Sequence, residues 1–68
     1  MARFMFPNGY GASVVRNEYS YGGDQGLYEV AVINSNGELV YDTPITSDVI
    51  GWCSSDDVEK LLIAIQSL

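Results

Sequence analysis

The stretch Leu27-Tyr-Glu-Val-Ala-Val-Ile33 constrains this chain more than any other, because it reads as a strand with apolar side chains on both faces. Alternation along a strand sends Leu27, Ala31 and Ile33 to one side and Tyr28, Val30 and Val32 to the other. A strand apolar on both sides needs cover on both sides. One convincing helix follows it, and one helix covers one face. The sequence therefore predicts that the second face is closed by another copy or by a partner, or stands open as a binding surface.

The helix carries its own start signal. Ser54 followed three residues later by Asp57 matches a capping box, and Cys53 before the cap is placed to pack on Val58 as a hydrophobic staple does. Asp56, Asp57 and Glu59 put negative charge where the helix dipole favours it. Val58, Leu61, Leu62, Ile65 and Leu68 then recur at spacings of three and four and form one apolar stripe over 55–67. Ile63 falls on the opposite side, with Glu59, Lys60 and Ser67. It is the helix residue that a core does not explain.

Upstream, residues 3–6 and 12–19 read as strands separated by the turn Pro7-Asn-Gly-Tyr-Gly11. The strand of 27–33 opens a hairpin reaching residue 42, turned by Asn34-Ser-Asn-Gly37, in which Asn-Gly is a strong turn signal. Thr43-Pro44 ends the pairing, because proline has no N–H to donate. Residues 45–53 read as an apolar connector pinned over the core by Ile45, Val49, Ile50 and Trp52, with one short helical turn from Ser47-Asp48 to Gly51. Strands followed by a helix predict an α+β fold. The expectation is one domain over residues 1–68, a small antiparallel meander of three to four strands with one C-terminal helix on one face.

Composition limits the chemistry. A chain of 68 residues buries only about 60% of the surface its unfolded form exposes. The usual aids to so small a domain are disulfides, metals or oligomerisation. Cys53 is the single cysteine and histidine is absent, which leaves neither an internal disulfide nor a structural zinc set. Oligomerisation remains, and a homodimer is expected, with Tyr28, Val30, Val32 and Ile63 as its candidate surface. No cofactor and no metal site are expected.

A catalytic centre is not expected either. Cys53 sits at a helix start without a basic neighbour, Ser54 and Ser55 read as caps, and the carboxylates Asp56 and Asp57 have a helix-start role. Nine acidic residues against Arg3, Arg16 and Lys60 give a net charge of −6. That balance disfavours direct contact with nucleic-acid phosphates or an anionic membrane. No targeting segment is read at the N-terminus, and a lone thiol fits a reducing cytoplasm.

The best candidate for a functional surface is the loop Tyr19-Ser-Tyr-Gly-Gly-Asp-Gln-Gly26. Glycines let a ligand approach backbone, and tyrosines offer stacking area with a polar tip. Tyr19, Tyr21, Gly22, Gly23 and Asp24 are its candidate partner-binding residues. The glycine spacing is not that of a dinucleotide fingerprint, and the loop does not lead into a helix.

The runs Asn8–Val15, Tyr21–Val32 and Tyr41–Gly51 together resemble a group of short proteins of tailed phages and prophages. That resemblance implies a protein of the host cytoplasm that acts on a host protein by binding, and it assigns no catalytic residue. The reading is a non-enzymatic accessory protein that binds another macromolecule as a homodimer. One alternative is an acidic nucleic-acid mimic that occupies a basic groove of a host nucleic-acid-binding or defence protein. Another is a small-molecule binder at a subunit interface, built from the 19–26 loop.

Overall fold

The computed structural model describes residues 2–16, 25–45 and 49–68. Four antiparallel strands form one open sheet, β1 (Ala2–Met5), β2 (Tyr10–Val15), β3 (Tyr28–Asn34) and β4 (Ile50–Cys53), and helix α1 (Ser55–Gln66) follows. The spatial order β1-β2-β3-β4 is the order in sequence. This is the α+β architecture expected from the sequence. The strand apolar on both faces, β3, takes an interior position, with β2 along one edge and β4 along the other.

The helix packs on β2, β3 and β4. It covers the face that carries Ala12, Val14, Val30 and Val32, which join Cys53 and Ile65 in the buried core. Val58, Leu61, Leu62 and Leu68 pack around that core, as their spacing predicts. Ile65 is its centre on the helix, fully buried.

The capping box forms with both bonds in place. Asp57 N–H donates to Ser54 Oγ at 3.2 Å, and Ser54 N–H donates to Asp57 Oδ2 at 3.1 Å. Ser54 is extended, as an N-cap residue must be.

The opposite face holds a row set by strand register. Met5 pairs with Gly11, Gly11 with Ile33, and Ile33 forms a bridge to Leu39. Ile33 is buried here although the helix lies on the other side. Gly11 explains part of this burial. A Cβ at that position would stand 2.7 Å from Met5 Sδ and 3.2 Å from Ile33 Cγ1, so both side chains close over the bare glycine. The second apolar face is thus covered in part by its own residues.

Two turns share one construction. Phe6 N–H donates to Tyr10 O and Gly9 N–H to Phe6 O, while Asn34 N–H donates to Glu38 O and Gly37 N–H to Asn34 O. Gly9 and Gly37 have φ of 87° and 80°, and neither Asn8 nor Asn36 is left-handed. Each is therefore a type I turn closed by a glycine bulge, the three-residue hairpin loop. Proline at the second position of the first turn suits the fixed φ that position needs.

Asn8 in the first turn also ties the sheet to the helix. Its Nδ2 donates to Ile65 O at 2.9 Å, Gln66 O at 3.1 Å and Leu68 O at 3.3 Å, and its Oδ1 accepts from Tyr10 N–H. The last carbonyls of a helix lack partners within it, and no basic residue stands in the last turn of α1. The Asn8 amide supplies that partner from 57 residues away. Replacing Asn8 by Asp removes the donors and sets a negative charge at the negative end of the helix. It should cost about 1–3 kcal/mol in urea unfolding. Asn36→Asp is the control, since Asn36 Nδ2 reaches only Glu38 Oε1 at 3.5 Å. Equal effects of the two substitutions would remove Asn8 from the helix end.

The structure corrects several element boundaries. The second strand ends at Val15, and residues 17–19 of the expected strand lie outside the described residues. The hairpin after Gly37 is short: beyond the turn, its second arm contributes the Leu39 bridge and the Val40 N–H bond to Val32 O. The remainder of that flank of β3 is taken by β4, which the sequence places in a connector. The expected helical turn ending at Gly51 is replaced by extended pairing of Ile50 with Val30, and Ser47 and Asp48 lie outside the described residues. Burial decides here, because Ile50 and Cys53 both reach the core only from a strand laid beside β3.

Candidate functional site

The strand β4 is built irregularly. Tyr28 stands opposite Cys53 and Val30 opposite Ile50. Gly51 and Trp52 therefore share the single position across from Glu29, which is a β-bulge. The extra residue allows Ile50 and Cys53 both to face the core. It also forces Trp52 to φ 60°, and Trp52 is the one non-glycine residue with positive φ among those described. Left-handed backbone at a bulky aromatic residue is strained by about 1–3 kcal/mol and persists only where the surroundings hold it.

The bulge turns the indole outward. Trp52 is 56% exposed, although the sequence places it over the core. Beside it a cleft of about 300 Å³ runs between β4 and the first turns of α1, lined by Ile50, Gly51, Trp52, Cys53, Asp57, Lys60 and Leu61. A volume at the low end of ligand pockets suits one anchoring side chain.

The titratable groups of the cleft have structural duties. Cys53 is buried, and its thiol donates weakly to Ile50 O and Gly51 O, each at 3.6 Å. Burial pushes the thiol pKa up, and the nearby Asp57 charge adds to the shift. A thiol held protonated is a poor nucleophile. Asp57 goes the other way: the Ser54 backbone N–H, then the Ser54 side chain, hold its carboxyl below the ordinary range, with Lys60 contributing. It stays ionised and serves the helix cap. The cleft thus offers an apolar wall, an exposed indole, and one charge of each sign at Asp57 and Lys60.

The residues singled out from sequence are not brought together here. Tyr19, Tyr21, Gly22, Gly23 and Asp24 lie outside the described residues. Val30 and Val32 lie beneath the helix, 1% and 2% exposed, and offer no surface to a second copy. The reason is that the helix chose their face of β3 over the Ala31–Ile33 face. Tyr28 is half-buried against the same core, with the Arg16 guanidinium 5.3 Å above its ring, a cation–π contact. Ile63 alone of that set is well exposed, at 57%. Trp52 was missed as a surface residue because nothing in its apolar neighbourhood signals a bulge.

Among the described residues, no group of three or more cysteine, aspartate and glutamate side chains gathers to hold a metal ion. Nor is any described helix long and apolar enough to cross a membrane. The fold and site define a small α+β domain with an exposed aromatic cleft at one sheet edge. Comparison with protein-family models, with curated proteins and with solved structures returned no match.

Proposed function

We propose that this protein acts by binding another protein, without turnover of a substrate, and that the partner docks at the Trp52 cleft. The observation that carries this reading is a tryptophan held strained and exposed beside an apolar cleft. An isolated fold gains nothing from that arrangement, since glycine at this position would relieve the backbone strain. Tryptophan is among the residues that dominate protein interfaces when a partner covers them. Support for the absence of turnover comes from Cys53 and Asp57, whose surroundings commit them to core and cap. The net charge of −6 favours a partner with basic groups around the apolar anchor.

Selection of peptides from a displayed random library tests the site. Peptides that bind the wild type should lose about 30-fold or more in affinity for Trp52→Gly, the loss typical of a tryptophan hot spot. The same variant should keep its fold and melt no lower than wild type. Undiminished binding of the selected peptides to Trp52→Gly would discard the cleft. Trp52 is the sole tryptophan, so its emission reports directly whether the cleft is covered.

A further inference from the structure

We infer that β1 pairs with β1 of a second copy across a two-fold axis at Phe4, joining two sheets into one of eight strands. Among the described residues, the fold leaves the outer backbone groups of β1 without a neighbouring strand. Phe6 N–H bonds to Tyr10 O, so Phe6 turns its backbone towards β2. Antiparallel ladders alternate, which turns Phe4 and Ala2 the same way and sends the N–H and C=O of Arg3 and Met5 to the free edge. All four residues of β1 are exposed, and β1 pairs on one side only, with β2.

Side chains and charge select the register. A two-fold axis normal to the sheet keeps each face continuous, so only residues on like faces can stand opposite one another. An axis at Arg3 would set two arginines face to face, which is unfavourable. An axis at Phe4 sets Phe4 against Phe4 in the close, non-hydrogen-bonded position and Arg3 against Met5 on either side. Every outward group of Arg3 and Met5 is then used, giving four hydrogen bonds across the axis. The strand also lacks any acidic residue in a chain of net charge −6, so it is an edge where two copies meet without carboxylate repulsion.

The other edge does not compete. The Gly51–Trp52 bulge distorts β4, and bulges are a standard means of blunting a sheet edge. Pairing through β1 leaves both Trp52 clefts at the outer ends of the joined sheet, so the dimer does not depend on the proposed docking role of Trp52.

Sedimentation at high micromolar concentration should give twice the 7.4 kDa chain mass for wild type and for Trp52→Gly alike. Phe4→Lys places like charges on the axis, and Arg3→Pro removes an outward N–H from each copy without touching a bond to β2. Each should weaken the dimer by about tenfold or more. Phe4→Cys should oxidise to a disulfide-linked dimer, because non-hydrogen-bonded partners lie about 4.5 Å apart at Cα. Met5→Cys should not, since the two Met5 positions sit diagonally. Cys53 is buried and does not interfere. Circular dichroism checks that each variant is folded; should Phe4→Lys unfold, Arg3→Pro and the cross-link still decide. A wild-type monomer, a dimer unchanged by Arg3→Pro, or failure of Phe4→Cys to cross-link would overturn the inference.

Discussion

Replacing Ile65 by Ala is expected to destabilise the protein by about 2–5 kcal/mol. Ile65 is fully buried where α1 meets the sheet, among Ala12, Val14, Val30, Val32 and Cys53. Its neighbours are small or β-branched and hang from hydrogen-bonded strands, so the space left by the lost carbons closes only in part. A domain of this length commands roughly 0.05–0.15 kcal/mol per residue in all, so the variant should lose a large part of its stability and melt well below wild type. Ile63→Ala, two residues away on the exposed side, should change stability by less than about 0.5 kcal/mol. Thermal melts of the pair check this. Similar losses at both positions would mean that the helix docks through a different face.

Gly11→Val is the second large effect, and it acts by crowding. A Cβ at Gly11 meets the carbonyl oxygen of Phe4 and stands 2.7 Å from Met5 Sδ. The thioether can move, but the Phe4 carbonyl belongs to the β1–β2 ladder and cannot do so without breaking it. The expected cost is about 3 kcal/mol or more, at or above the upper end of usual overpacking penalties. Amide hydrogen exchange should show protection lost first in β1 and β2. Gly9→Ala provides the contrast, because nothing stands within 4 Å of a Cβ there and the penalty is only that of φ 87°. A Gly11→Val variant as stable as wild type would mean that β1 is not held in the register described.

Gly11 and Asn8 mark where sequence reading stops. The sequence reads both as part of one turn, which Pro-Asn-Gly fixes for Asn8 by local backbone preference, whereas β2 begins at Tyr10 and takes Gly11 into the sheet. That Gly11 must be bare depends on Met5 and Ile33 arriving from two other strands. That Asn8 closes the helix end depends on a helix 57 residues further along. No local pattern carries either fact.

Local chemistry did determine a good deal. The capped helix was legible because Ser54, Asp57 and the apolar stripe lie within one element, and their interactions span three or four residues. The two glycine turns and the central strand follow for the same reason, as do the antiparallel pairing and the single C-terminal helix. The sequence called for cover on both faces of β3 and left the second to a partner, a second copy or open solvent, whereas the chain itself buries Ala31 and Ile33 there.

Tertiary structure decided which face the helix took, and thereby buried Val30 and Val32 while leaving β1 bare. It made Ile50–Cys53 a strand by laying it along β3, where a local reading found only an apolar connector. Within that strand, two core-facing residues separated by one residue too many required a bulge. The bulge put Trp52 into left-handed backbone and turned its indole to the surface. Propensity and periodicity describe neighbours in the chain, whereas a bulge is set by the register between two strands. The exposed indole at this sheet edge was therefore decided only when β4 met β3.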